Sequence, residues 1–295
     1  MARPSTREER VPHALLHAFL VVVVLATIYP VLWVVTIAFS GSQSLSFADL
    51  PADPGAWDRL RAIMPWPSRW SGSNFVSVMA DQPFARWVLN STIIALATTL
   101  VGVFLSCTGA YAFSRFKFPG RRAGMMAFLV SQMFPGTLTL IPLYIIIVQW
   151  LHLGGTRFGL IIVYATTSIP FSVWMLKGYF DTIPRELEEA GIIEGAGPGT
   201  IFWKIVMLLA KPAIAITALF SFMTAWNEFI LAATFMNQEE MYTAPVGLKF
   251  FVGGFQQQWG YFAAGSIIVS VPVVVLFLYL QKYLVSGLTA GSVKG

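Results

Sequence analysis

Charge is scarce in this sequence. Acidic and basic residues together make up 11% of 295 residues, and hydrophobic residues 56%, whereas soluble domains carry about 25% charged residues. A chain so depleted cannot clothe a surface that faces water on every side, which excludes an ordinary soluble domain and points to a bilayer. Cysteine is scarcer still. Cys107 stands alone in an apolar run, which excludes an internal disulfide and a cysteine-based metal site; it reads as a small residue packed against lipid or a helix. The sequence also offers no nucleophile–base set or metal cluster of the kind an enzyme needs. His13 and His17 have the spacing of two metal ligands, but no third lies nearby, so both read as interfacial anchors and no metal is expected. A net charge of +5 is no sign of nucleic acid here, because in a membrane protein the location of basic residues matters more than their sum.

What the chain has is a series of apolar runs of about 20 residues or more, the length a membrane helix needs. They predict six spanning helices at 14–39, 87–113, 123–149, 158–177, 212–236 and 262–285. The first follows a basic N-terminus and is too long for the apolar region of a signal peptide, so it is expected to be a retained span. The 114–122 loop holds Arg115, Lys117, Arg121 and Arg122 and no acid. Positive residues mark cytoplasmic loops, which places both termini and the 178–211 segment inside and the 40–86 loop outside. That outer loop has five prolines together with Trp57, Trp66 and Trp70, a composition suited to a packed segment near the interface. Gly102, Ser106, Gly109 and Ala110 recur at helical spacing, allowing another helix to come close. Pro135 and Pro142 interrupt the third run, and such breaks often lie near a pathway.

The most informative stretch is 181–211. Pro184 suits the first turn of a helix, and Glu186, Glu188 and Glu189 sit where the helix dipole favours acids. Gly195, Gly197, Pro198 and Gly199 must stop that helix, and a second amphipathic stretch resumes near Thr200. Ala190 and Gly191 lack bulk, so another surface has room to approach. Two readings follow: a docking element, or two interfacial helices that merely connect spans. A phosphate cradle is excluded, because the glycine cluster lacks the Lys-Ser/Thr of a P-loop and its proline removes a donor.

The run Glu189-Ala190-Gly191, two residues, Glu194-Gly195-Ala196 resembles the EAA loop of ABC-importer permeases. It departs from the family pattern at Gly191 for Ala, Glu194 for Asp, and Leu208 where many relatives have Pro; the last bears on how the chain enters the fifth span. The segments 110–115, 118–120, 132–135 and 177–180 are similar to the carbohydrate branch. The ending 287–291 with 293–295 resembles the smaller maltose/maltodextrin permease, the MalG type. The resemblance implies an all-α integral membrane protein with six transmembrane helices and the type I (MetI-like) permease architecture. Residues 1–86 would form the tail, first span and outer loop, 87–285 a five-helix core with the coupling loop 181–211, and 286–295 a cytoplasmic tail. It further implies a non-catalytic subunit of a bacterial or archaeal cytoplasmic membrane, importing maltose-type sugars. Its partners would be a second homologous permease, an ATPase dimer, an extracytoplasmic sugar-binding protein and membrane lipid. No cofactor is expected on this chain; ATP and Mg would belong to the ATPase subunits. Glu189, Ala190, Gly191, Glu194, Gly195 and Ala196 would dock on the ATPase, and Thr289, Ala290, Gly291 and Lys294 would reach into its dimer.

Two further groups of residues draw notice. Asn227 and Glu228 lie within the fifth run. A charge near a helix centre costs about 2.5–3.5 kcal/mol on insertion scales, so Glu228 is expected to face the protein interior or a wet cavity, either lining the transport route or bonding a neighbouring helix. The outer loop 237–261 contains Tyr242, Phe251, Gln257 and Trp259; aromatics with amides suit a sugar site or the membrane interface, and the family resemblance implies that this loop contacts the sugar-binding protein. The rival function, an ion-coupled secondary transporter of a small polar solute, needs several intramembrane ionisable groups in matched halves, and only Glu228 fits.

Overall fold

The computed structural model describes residues 7–45, 53, 55–64, 66–67 and 69–292, and among these there is no β-strand. In chain order the helices are α1 (Arg7–Phe39), α2 (Ala56–Ala62), α3 (Ser73–Ala80), α4 (Phe84–Arg115), α5 (Arg121–Met133), α6 (Gly136–Trp150), α7 (Arg157–Thr182), α8 (Glu186–Ile193), α9 (Pro198–Leu209), α10 (Lys211–Asn227), α11 (Ile230–Phe235), α12 (Ala244–Val252) and α13 (Trp259–Ser292). Four of them, α1, α4, α7 and α13, are long and apolar enough to cross a membrane alone. The pairs α5–α6 and α9–α10 bring the number to six if each is one bent crossing.

The bends are where the structure departs from straight spans. Between α5 and α6 the axis turns by 104°. Pro135 disfavours helical backbone at the residue before it, and Phe134 is accordingly extended (φ −76°, ψ 131°). Pro142, by contrast, lies inside α6 without ending it, and the helix widens to a π turn over Ile145–Trp150. Between α9 and α10 the turn is 78°. Pro212 stands in the first turn of α10, where its missing N–H costs nothing. The same missing donor leaves the Leu208 carbonyl without its helical partner. The entry into this crossing is thus shaped by Pro212, with Leu208 as an ordinary half-exposed residue of the last turn of α9. The crossing also ends earlier than the apolar run suggests, at Asn227, and resumes only at Ile230.

The chain divides into two compact units. The first comprises the described residues up to Phe84 with Leu248–Ile268. Here Phe39 at the end of α1 packs on Phe75 and Trp70, with Trp66 edge-on to Trp70. Asn74 is buried and donates to the Ile37 and Ala38 carbonyls, capping α1. Gln43 bridges Asn74 to the Tyr261 N–H. A Cβ at Gly260 would lie 2.2 Å from the Ser42 carbonyl oxygen, so only glycine permits this approach. The described part of the 40–86 loop is thus tied to the end of α1 and to Tyr261 by these contacts, while Trp57, Trp66 and Trp70 remain exposed.

The second unit, Ala85–Gly247 with Val269–Gly295, is organised around α7. One core gathers Ile94, Leu160, Tyr164, Phe222 and Trp226; the other gathers Cys107, Val173, Leu176, Phe180, Phe202 and Val206. The small residues of α4 face these cores. A Cβ on Gly102 would meet the hydroxyls of Ser168 and Ser221 at 3.3 and 3.4 Å, and one on Gly109 would meet Val173 at 3.6 Å. Ser106 and Ala110 are fully buried. The helical spacing of small residues thus brings α4 close to α7 and α10, where dispersion between backbones replaces the hydrophobic effect that lipid cannot supply.

Candidate functional site

The site is built on α8. Three acids occupy its first turn, in favourable register with the dipole, and the Glu188 and Glu189 N–H groups both bond the Arg185 carbonyl. Pro184 stands just before that turn, not within it. At the other end Gly195 has φ +85°, the left-handed conformation that glycine adopts without a Cβ penalty. Its N–H bonds the Ile192 carbonyl, and the Ala196 N–H bonds the Gly191 carbonyl, each at 2.9 Å. This pair of bonds is the Schellman motif, and it gives α8 a defined stop.

One acid of the first turn has a second task. Glu188 turns inward and pairs with Arg115 Nε at 2.5 Å, with the two side chains 11% and 7% exposed. Tyr111 donates to its other oxygen at 3.1 Å. Arg115 also donates to the Ile183 carbonyl and the Ser114 hydroxyl, each at 3.1 Å. Ser114 in turn donates to Asp181 at 2.6 Å, and Asp181 pairs with Lys177. A continuous polar network thus fastens α8 to the ends of α4 and α7. The dipole reading of Glu188 does not reveal it, because the partner is distant in sequence; the clue present in the sequence is a Tyr and an Arg four apart at the end of a span.

The outward face of α8 is apolar with an acidic margin. Ile193 is 87% and Ile192 60% exposed, and Glu189, Ala190 and Glu194 are also exposed. Gly191 is different: it is buried, and a Cβ there would lie 2.8 Å from Ile205 of α9. Its lack of bulk serves packing within the chain, so the open approach is on the Ala190 side. Beside Glu188 and Glu189 a groove of about 450 Å³ runs between Tyr111, Phe116, Arg185, Ile192 and Pro198.

Asn227 and Glu228 sit at the break after α10. Asn227 is exposed and bonds back to the Met223 carbonyl. Glu228 is half-buried and extended (φ −70°, ψ 128°). Its carboxylate accepts from the Leu231 and Ala232 N–H groups at 2.8 and 3.0 Å, and from Tyr164 of α7 at 2.8 Å. An acid within a spanning run is therefore supported as a cap on α11 and a tie to α7. Glu228→Leu is expected to remove about 1–2 kcal/mol of local stability and to lower transport at matched abundance, while Glu228→Gln, which keeps the shape and one of the two accepting oxygens, should fall between Leu and wild type. Uptake by the two variants measures the difference; equal uptake by both would show the cap to be dispensable.

The residues of the 237–261 loop separate. Tyr242 is half-buried and its carbonyl accepts from Asn90. Phe251 is buried at 2% exposure against Phe84 and Tyr261, so it supports the loop from inside and presents no surface to a partner. Gln257 is exposed and accepts from the half-buried Trp259 indole; the aromatics that face outward are Phe250 and Phe255. In the tail the α13 backbone runs through Thr289, Ala290 and Gly291, and Lys294 lies outside the described residues. Among the described residues no group of three His, Cys, Asp or Glu could hold a metal.

Comparison with known proteins identifies the family. Residues 98–289 match the family of binding-protein-dependent transport system inner membrane components. The chain is 32% identical to the maltodextrin transport system permease protein MalD of Streptococcus pneumoniae, over 98% of each chain. It is 35% identical to the galactooligosaccharides transport system permease protein GanQ of Bacillus subtilis, over 95% of this chain and 94% of that one. A bacterial ABC transporter involved in the import of the acidic polysaccharide alginate shares the fold with a TM-score of 0.78 at 22% identity, covering 96% of this chain and 99% of its own. Four apolar spanning helices with two bent pairs beside them, a glycine-stopped helix on a clamped loop, and a family match that spans that loop lead to one assignment: the chain belongs to the binding-protein-dependent inner membrane components, the permease subunits of ABC importers.

Proposed function

We propose that this chain forms half of the translocation pathway of an ATP-driven carbohydrate importer, with maltose or maltodextrin as substrate, and that α8 is the element through which ATPase subunits drive it. The observation that carries the reading is the construction of α8: apolar and acidic outward, stopped by a Schellman turn, and fastened inward by Arg115. Such a helix presents Ile192 and Ile193 to a partner's cleft and transmits displacement to α4 and α7 instead of flexing. ATP with Mg on the partner subunits supplies the energy; this chain makes and breaks no covalent bond. Closure of the ATPase pair would favour one arrangement of the spans over the other, a population shift set by differential contacts in the two states. The basic 114–122 loop supports a cytoplasmic face for α8, with both termini on the same side. A second permease, and a sugar-binding protein on the outer side, complete the assembly. The sugar class rests on the MalD-like sequence, and GanQ shows that other oligosaccharides occur among relatives this similar.

The test is uptake by the assembled transporter in proteoliposomes, with maltose, maltotriose, trehalose and a galactooligosaccharide in competition. The expected result is ATP-dependent uptake in which the α-1,4-glucosides compete best. Competition led by a galactooligosaccharide would reassign the substrate, and uptake driven by an ion gradient without ATP would replace the whole reading by a secondary transporter.

A further inference from the structure

The 114–122 loop folds back so that a basic groove of about 540 Å³ forms where α4 ends and α5 begins. It is lined by Phe118, Gly120, Arg121, Arg122, Met125 and Lys177. Three features of this groove converge on an anion. The first is charge: Arg121, Arg122 and Lys177 line one space, with Lys177 giving one of its three donors to Asp181 and Arg121 one of its five to the Ser114 carbonyl. The second is the start of α5. A helix N-terminus carries partial positive charge and favours acids, yet α5 opens with two arginines and has no acid in its first turn and no side-chain cap. The Arg122 and Ala123 N–H groups have no acceptor among the described residues. Like charges are thus gathered at a terminus that repels them, an arrangement that an anion with several oxygens would relieve. The third is access: Gly120 is left-handed at φ +84°, and no atom lies within 4 Å of where its Cβ would be, so the space above the helix terminus is open.

We propose that this groove binds the phosphate headgroup of an anionic phospholipid. The choice of lipid over a free phosphate rests on the apolar wall. Phe118 and Met125 flank the cations, and Met126 and Val130 continue an exposed apolar face along α5, where an acyl chain would lie. The groove lies where α4 ends and α5 begins, the level at which the headgroups of a surrounding bilayer would sit. Basic clusters at membrane boundaries attract anionic lipid at about 1 kcal/mol per residue. The site stands apart from the coupling role of α8, and its test reads lipid, not transport.

The assembled transporter is incorporated in nanodiscs of four parts phosphatidylcholine to one part phosphatidylglycerol, released, and weighed by native mass spectrometry for bound phosphatidylglycerol. The Arg121→Gln, Arg122→Gln double variant is expected to lower the bound-to-free ratio roughly tenfold to thirtyfold. Lys117→Gln, outside the groove, should leave the ratio unchanged, and added inorganic phosphate should not displace the lipid. A double lysine variant, which keeps the charges, should keep the lipid, showing that the loss is not misfolding. Wild-type retention by the double glutamine variant overturns the site. An equal fall in Lys117→Gln reduces it to diffuse surface charge, and displacement by phosphate reassigns it to a free anion.

Discussion

Replacing Glu188 with alanine is expected to separate ATP hydrolysis from sugar uptake, with uptake per ATP falling about tenfold or more. Removing one partner of a buried ion pair costs about 3–5 kcal/mol, because the remaining charge keeps its desolvation without its counter-ion. Arg115 would retain the Ile183 carbonyl and the Ser114 hydroxyl, which offsets part of that cost and keeps the spans assembled. What it loses is the tie to α8. In the proposed coupling the helix would still meet an ATPase surface through Ile192 and Ile193, but its displacement would no longer reach α4 and α7 in full. Glu188→Gln keeps an acceptor for Tyr111 and should fall between alanine and wild type. The charge-reversed pair, Arg115→Glu with Glu188→Arg, should recover part of the loss relative to either single reversal. Recovery would be incomplete, since an acid at 115 would stand beside Ser114 and Asp181. Hydrolysis, uptake and copurified ATPase are measured together. If the alanine variant couples as wild type does, Glu188 is a dipole residue only and the proposed transmission through Arg115 is wrong.

Gly195→Val should lower uptake at matched abundance by roughly fivefold to thirtyfold, the equivalent of a left-handed penalty of about 1–2 kcal/mol. The structure sharpens the cause. No atom lies within 4 Å of a Cβ built on Gly195, so the added Cβ meets open space and the expected cost is that of the left-handed backbone. Asparagine tolerates the left-handed region, so Gly195→Asn should stay near wild type. Gly199, whose backbone is ordinary and whose surroundings are equally open, should accept alanine. Glu189→Lys should act in the same direction as valine at 195 by reversing the exposed charge beside Ala190. If Asn and Val at 195 are equally damaging, the glycine is needed for close approach of a partner and not for the Schellman turn.

The legible parts of this molecule were those written in local rules. Run length located the crossings, glycine and proline located the stop of α8, and small residues on α4 marked the face that meets α7 and α10. Each of these depends on residues within a few positions of one another. The Arg115–Glu188 pair does not: the two positions are 73 apart, and each has a sufficient local explanation, a positive-inside loop for one and a helix dipole for the other. Glu228 shows the same limit. Its position announces a cost, but Tyr164 and the α11 N–H groups that meet it are fixed only by folding. Phe251 illustrates the converse: in sequence it is one aromatic among several in an outer loop, and only packing against Phe84 and Tyr261 decides that it points inward. Pro135 foretold an interruption in the third run, while the size of the turn depends on where α5 and α6 each find support.

That turn has a consequence for the life of the subunit before it meets its partners. α5 has 13 residues, about 20 Å at 1.5 Å per residue, against the roughly 30 Å of a hydrocarbon core. At the elbow the last carbonyls of one half-helix and the first N–H groups of the next lack intrahelical partners, and Met133, Phe134, Leu138 and Ile141 around them are all exposed in the single chain. Lipid tails offer no hydrogen bond, so irregular backbone at this depth is tolerated only against protein or a water-filled cavity. The elbow therefore makes solitude costly for the chain: an orphan subunit would carry a wound in the middle of the bilayer that assembly, or the wet lumen of a pathway, closes.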